Sequence, residues 1–304
     1  MAMSSGANEQ DRPELSVVIG SHNARASVAV CLDALQKQGA GRRAEIIVVD
    51  NSTDGTASIV AAQFPDVLLL SAAPEQWVPE LWEIGIRASR APIVALTTAH
   101  CVPDDEWMAE IMAAHRESDA VGIGGTIEND ASASLIDWAV YFCRYAKYMK
   151  PFAPYHIHDI PADNASYKRW ALDRCTDVRM SGFWEPDVHA KLIAEGHRLL
   201  MTPGICVRHM RSSTFPEFMR QRFWHGRQFG SSNGMRLSSG ARLAHIVAAP
   251  LIPLLMLSRI VRQVLRKRRY RAQLMWSAPM ALLFLTSWAA GECWGYLSPT
   301  GHRA

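Results

Sequence analysis

Leu15-Ser-Val-Val-Ile-Gly-Ser-His-Asn23 and, after an intervening helix, Ala44-Glu-Ile-Ile-Val-Val-Asp-Asn-Ser-Thr-Asp-Gly-Thr56 decide how this chain folds. Each opens as a short, β-branched apolar run, the pattern of a strand buried on both faces of a parallel sheet. Each ends abruptly in polar residues. Ligands of open α/β sheets bind at such carboxyl ends. Asp50 closes the second strand, and Asn51, Ser52, Thr53, Asp54 and Gly55 supply turn chemistry and a cap for the next helix. This puts a carboxylate at a sheet edge, where it could accept hydrogen bonds from a base or ribose.

Working outward, Ser58 to Phe64 reads as a helix, Val67 to Leu70 as a third strand and Glu80 to Ser89 as a further helix. Pro92-Ile-Val-Ala-Leu-Thr-Thr-Ala-His-Cys101 again leads from apolar residues into polar ones. Strands alternating with helices predict an α/β class with a Rossmann-like, mostly parallel central sheet and flanking helices.

At Val49 through Thr56 the chain resembles the glycosyltransferases of family 2 with the GT-A fold, whose second strand ends in Val-Asp-x-Ser-x-Asp-Gly-Thr. The resemblance implies a nucleotide-sugar donor held by Ser21, Asn23, Asp50 and Ser52. In most relatives the next strand ends in Asp-x-Asp, whose carboxylates hold a divalent cation, Mn²⁺ or Mg²⁺, under the donor diphosphate. Pro103 and Trp107 set the register, so Thr98, which the resemblance adds to the donor contacts, falls on the first Asp and His100 on the second. A neutral imidazole can ligate Mn²⁺, but Mg²⁺ prefers oxygen, and the missing acids leave the metal question open. Val207-Arg-His209 resembles the family's second metal or phosphate ligand, so His100 and His209 are the candidate metal residues. If no cation binds, His209 and the arginines after it could neutralise the diphosphate directly.

Further resemblances follow the same order. Val121-Gly-Ile-Gly-Gly-Thr-Ile-Glu128 is similar to the strand lining the sugar and acceptor cleft, with Gly124 and Gly125 allowing close approach. An aromatic-rich helix is expected over Ile136 to Tyr148. Ile160-Pro-Ala-Asp-Asn-Ala-Ser-Tyr-Lys-Arg169 resembles Pro-Gly-x-Asn-x-x-Tyr-Arg and points to Asn164 as a donor contact. Gly182-Phe-Trp-Glu-Pro-Asp-Val-His-Ala-Lys-Leu-Ile-Ala-Glu-Gly196 aligns with the acidic helix start. There Glu185 occupies the catalytic aspartate, with Asp187 beside it and Trp184 facing the acceptor cleft. In an inverting transferase that carboxylate deprotonates the acceptor hydroxyl. Arg220 through Trp224 echoes a Gln-x-x-Arg-Trp segment, which adds Arg222 to the donor set without implying processivity.

The 304 residues, 49% hydrophobic, hold ample core for an enzyme. Cys31, Cys101, Cys143, Cys175, Cys206 and Cys293 form no Cys-x-x-Cys pair, which argues against a zinc knuckle or disulfide framework. The first fourteen residues are polar, so no cleaved secretory peptide is expected and catalysis should face the cytosol. Between Ile205 and Arg271 fourteen Lys and Arg stand against Glu217 alone, leaving the remainder net acidic. That basic zone precedes an uncharged apolar run, Ala272 to Gly291, long enough to span a bilayer core. Leu243 to Ser258 reads as interfacial or re-entrant. The expected organisation is a flexible terminus over 1–13, a transferase domain over 14–240 and a membrane-associated helical segment over 241–304. Cationic flanks and Trp276, Trp288 and Trp294 suit a lipid interface. An anionic cytoplasmic membrane is therefore the expected partner in place of nucleic acid, and a lipid-linked or cell-surface glycan the expected acceptor.

Two other classes compete. Leu96-Thr-Thr-Ala-His-Cys101 resembles the histidine motif of chymotrypsin-like proteases, but Gly-Asp-Ser-Gly-Gly is absent and the strands alternate with helices. The stronger competitor is a degenerate, non-catalytic nucleotide-binding membrane scaffold, suggested by Thr98, Ala99 and Trp184.

Overall fold

The computed structural model describes residues 12–39, 44–130, 132–210 and 213–298. Most of the expected terminus, residues 1–11, lies outside them. The elements run β1 (Leu15–Ser21), α1 (Val28–Gly39), β2 (Ala44–Asp50), α2 (Thr56–Gln63), β3 (Leu68–Ser71), α3 (Val78–Ala88), β4 (Ile93–Thr98), β5 (Cys101–Pro103), α4 (Trp107–Glu117) and β6 (Gly122–Asn129). Then follow α5 (Leu135–Tyr145), β7 (Tyr155–Ile157), β8 (Asn164–Lys168), α6 (Arg169–Asp173), α7 (Glu185–Ala194) and β9 (Leu199–His209). Four helices complete the chain: α8 (Phe215–Arg236), α9 (Ser239–Ala248), α10 (Ile252–Lys267) and α11 (Arg271–Leu297).

The described strands form one nine-stranded sheet in the order β3-β2-β1-β4-β8-β6-β9-β5, with β7 beside β9. β3, β2, β1 and β4 are parallel. The pairs β4–β8, β6–β8, β5–β9 and β7–β9 are antiparallel, so the sheet is mixed where a mostly parallel one was expected. Every residue of β1 is buried, as its unbroken apolar run requires. After β1 the chain moves outward to β2 and β3 and then returns to the other side of β1 with β4. That reversal makes a switch point between β1 and β4, the place where open α/β sheets leave a crevice at their carboxyl ends.

Two compact units divide the chain, one holding 1–128 and 150–211, the other 129–149 and 212–304. This differs from the expected division at residue 240. In the helical unit Ala139 and Val140 of α5, Phe218 of α8 and Ala281 and Phe284 of α11 share one buried core. Phe218 and Phe284 meet edge to face at 4.7 Å. α8 and α11 approach until their backbones touch, because Gly226 and Gly230 face the carbonyls of Trp288 and Glu292 while Gly291 and Gly295 face those of Phe223 and Arg227. A Cβ at any of the four would collide with the partner's main chain. α5 and α8 therefore belong with the C-terminal helices through this packing.

Candidate functional site

The rim formed by the carboxyl ends of β1, β2 and β4 carries a stitched set of polar groups. β1 and β2 pair so that Ser21 stands opposite Asp50. Asp50 is buried, and its carboxylate accepts from the Ser52 hydroxyl at 2.6 Å and the Ser52 backbone N–H at 3.1 Å. Ser52 Oγ in turn accepts from the Asn23 N–H at 2.7 Å, and Asn23 Oδ1 accepts from the Thr53 N–H at 3.1 Å. Asn23 sits at φ 50°, a left-handed conformation that Asn tolerates better than most side chains. Two protein donors reach Asp50, and an ionised carboxylate has about four acceptor positions, so capacity is left for a ligand hydroxyl or amine. Ser21 Oγ is buried without a protein partner. A buried orphan hydroxyl at a sheet rim is the state a ligand would relieve.

Residues outside the expected set complete this rim. His22 Nδ1 and Asn51 Oδ1 lie 2.8 Å apart, and the Asn51 amide donates to the carbonyls of Ala73 and Gln76 at 3.2 and 2.7 Å, tying the loop after β3 to the end of β2. Asp54 accepts from Arg25 N–H and from Thr56, and these bonds hold its carboxyl below the usual range against the opposing effect of burial. Gly55, at φ 88°, makes the turn into α2 that a side chain would strain. The Asp-Gly-Thr pattern announced the turn. Nothing local announced that Asn51 would reach residues more than twenty positions away.

At the end of β4 the expected metal residues are only partly assembled. Thr98 is buried and its hydroxyl donates to Cys101 Sγ at 3.4 Å. His100 Nδ1 lies 3.2 Å from Ser27 Oγ and Nε2 3.2 Å from the His22 carbonyl. A ring with Nε2–H donating to that carbonyl and Nδ1 accepting from Ser27 leaves no nitrogen for a cation. His209 stands opposite Cys101 across β5 and β9, and Met210 N–H donates to the His100 carbonyl, so the two histidines share one end of the sheet. Among the described residues no group of three His, Cys, Asp or Glu gathers for a metal. Among the described residues this donor set does not fit a cation held by protein side chains alone.

Glu185 begins α7 half-buried, with Trp184 at the N-cap. The Ala162 N–H donates to its Oε1 at 3.3 Å. Withdrawal of the carboxyl from water, reinforced by the Asp163 carboxylate, pushes Glu185 up to about 7. The helix N-terminus and the Ala162 bond pull the other way and are outweighed. Gly182, at φ 124°, lets the segment before α7 press on the backbone of Pro79 and Glu80, and Phe183 N–H donates to the Pro79 carbonyl at 2.8 Å. Thr97 Oγ1 donates to the Asp163 carbonyl at 2.9 Å, so the stretch bearing Asp163 and Ala162 meets the end of β4. Glu185 thus belongs to the same rim as β4's end. Asp187 is exposed in the first turn of α7.

Four residues expected at the ligand, Asn164, Gly124, Gly125 and Arg222, have protein partners of their own. Asn164 is fully buried: its amide donates to the Thr126 and Ile205 carbonyls at 2.8 and 3.1 Å, and its Oδ1 accepts from the Trp107 indole at 2.8 Å. It clamps β8, β6, β9 and α4 together from a fully buried position, with both amide hydrogens used on protein carbonyls. Gly124 and Gly125 are packing glycines, with Ile160 and Met201 filling the space over the first and the Ile205 carbonyl and Asn164 over the second. Arg222 lies in the helical unit, its guanidinium 4.2 Å from the Trp288 ring centre.

The family model for glycosyl transferase family 2 matches residues 16–176, more than half of the chain. The chain belongs to glycosyl transferase family 2. No curated protein matches it in sequence. Among solved structures, mannosyltransferase PcManGT from Pyrobaculum calidifontis, in complex with GDP-Man and Mn2+, is similar over 93% of this chain and 88% of its own, with 18% identity and a TM-score of 0.57. S. aureus TarS 1–349, in complex with UDP-GlcNAc, aligns over 69% of this chain and 65% of its own, with 14% identity and a TM-score of 0.46. The glycosyltransferase fold of the family 2 chain is therefore GT-A-like, with the matched region covering β1 through β8 and the start of the segment before α7.

Proposed function

We propose that the protein is an inverting glycosyltransferase moving a hexosyl group from a nucleotide-sugar donor to a lipid-linked or cell-surface glycan acceptor at the cytoplasmic membrane. The donor nucleoside lies against Ser21, Asn23, Asp50 and Ser52, and the acceptor approaches Glu185 and Trp184. The carboxylate of Glu185 takes the proton of the acceptor hydroxyl as its oxygen attacks the anomeric carbon, and the nucleoside diphosphate leaves from the opposite face. The observation that carries this reading is the placement of Glu185 at the start of α7, its Oε1 held by the Ala162 N–H in the stretch that also bonds the end of β4; loss of hydration there raises its carboxyl to about 7. A base poised near the working pH combines sufficient deprotonation with sufficient basicity.

Membrane attachment is supported by the helical unit. Ser239–Lys267 and Arg271–Leu297 are long and apolar enough to cross a membrane. Leu243, Val247, Leu251, Leu254 and Leu255 recur at helical spacing and are all more than half exposed. Arg259, Arg262, Arg266, Arg268 and Arg271 follow them, also exposed. An apolar stripe ending in cations fits an anionic bilayer surface.

The test is transfer from GDP-mannose and UDP-GlcNAc to a membrane lipid extract, comparing wild type with Glu185→Gln and reading the anomeric configuration of the product by NMR. Donor-dependent transfer with inverted configuration, lost in the variant, supports the reading. Nucleotide binding with background turnover in both proteins favours the non-catalytic scaffold, which Thr98, Ala99 and the engaged ring of His100 would suit.

A further inference from the structure

Behind Glu185 lies a second polar cluster that the proposed chemistry does not use. His189, one turn further along α7, is 1% exposed. Its Nε2 lies 2.8 Å from the Tyr167 hydroxyl, and its Nδ1 lies 3.2 Å from Asp159 Oδ1. Tyr167 belongs to β8 and is fully buried, whereas the Asp159 side chain is 48% exposed. The Asp159 carboxylate can only accept, so Nδ1–H donates to it, and in the neutral ring Nε2 then accepts from the Tyr167 O–H. One imidazole thereby joins α7, β8 and the segment over 159–163. That segment also supplies the Ala162 N–H and the Asp163 carboxylate to Glu185.

We propose that Asp159, His189 and Tyr167 form a clamp that positions the Glu185 carboxyl, with His189 the positioning residue and Asp159 its anchor at the surface. This inference rests on Glu185 serving as the base. The charged and titratable groups facing Glu185 are Asp163 and Asp159 from the preceding segment, while Tyr167 on β8 feels Glu185, Asp159 and Cys175. A carboxyl held against like charges and away from water can keep its raised proton affinity only while the turn bearing it is fixed. Positions i and i+4 share a helix face, so restraint of His189 is passed directly to Glu185.

The deciding experiment is a pH titration of the Glu185 carboxyl by ¹³C NMR in protein labelled at glutamate Cδ, its resonance assigned by its loss in Glu185→Gln. Asp159→Asn removes the charge but keeps an oxygen that can accept from His189, whereas Asp159→Ala removes both. The clamp requires the Asp159→Ala midpoint to fall below that of Asp159→Asn by about half a pH unit or more, as water reaches the loosened carboxyl. Tyr167→Phe, which removes a hydroxyl and no charge, should move it in the same direction. Equal midpoints in the two Asp159 variants, with Tyr167→Phe at the wild-type value, overturn the proposal and leave the cluster as core packing. This titration needs no substrate. A clamp that holds in a protein without transfer activity therefore refutes the transferase reading alone, and a transferase with equal midpoints refutes the clamp alone.

Discussion

At the scale of single residues, Glu185 carries two opposite pH dependences. As the proposed base it must be ionised, so transfer should rise with pH through about 7, and Glu185→Gln should lower kcat roughly 10²- to 10⁴-fold with that limb abolished. For stability the sign reverses. The folded protein binds this proton more tightly than the unfolded chain, so the contribution is favourable at low pH and is lost as pH rises from the ordinary value of 4.5 through about 7. Glu185→Gln should therefore unfold at higher temperature than wild type at pH 8, by an amount equivalent to about 1–3 kcal/mol, with the difference gone below pH 4.5. Equal melting at pH 8 would argue against a shielded carboxyl. Asn164 makes the complementary case. Asn164→Ala strands two carbonyls and an indole N–H in the interior at about 1–3 kcal/mol each, so calorimetry should show a large loss of stability. The turn after Asp50 and the acidic start of α7 at Glu185 were legible in the sequence, because turn and helix-start chemistry is local, whereas the base role of Glu185 came from the family resemblance and is part of the proposal. The role of Asn164 was not legible, since an Asx turn, a ligand contact and a buried clamp look alike until the partners of the amide are known.

Among the elements, β1 and β2 lie where their apolar runs and polar ends put them, and α2, α3 and α7 begin within a few residues of the expected positions. β4 stops at Thr98, and a separate strand, β5, starts at Cys101, which removes the continuous run expected over 92–101. The break occurs because Cys101 pairs with His209 on β9, far along the chain. Packing of α8 on α11 has a local signal, but which two helices it joins was decided by the fold. Gly226 and Gly230 on one helix and Gly291 and Gly295 on the other are spaced four apart, a pattern that lets helix backbones touch. Gly291→Val should cost about 1–3 kcal/mol or more by overpacking, seen as a lower melting temperature in detergent, whereas Gly240→Val, with open space around it, should be near neutral. A tolerated Gly291→Val would contradict the close approach.

For the whole molecule, the division of the chain changes how membrane attachment should be tested. Removing everything after residue 240 would strip α11 from α5 and α8 and expose Phe218 and Val140, so loss of folding would be mistaken for loss of anchoring. Replacing Leu243, Val247, Leu251 and Leu254 by Ser leaves that core intact. Such a variant should no longer float with anionic liposomes at physiological salt, and wild type should bind neutral liposomes more weakly than anionic ones. Undiminished flotation of the variant would remove the apolar stripe from the account. The sequence alone determined the α/β alternation, the polar rim after β1 and β2, the acidic start of α7 and the apolar, cationic character of the C-terminal third, because each is written in neighbouring residues through strand, turn and helix periodicity. Only tertiary structure decided that Asn164, Gly124 and Gly125 serve packing, that the His100 ring is spent on Ser27 and His22, that 129–149 joins the C-terminal helices and that His189 stands clamped behind Glu185. Those outcomes depend on which distant groups satisfy a buried donor, acceptor or surface, and that pairing does not exist until the chain has folded.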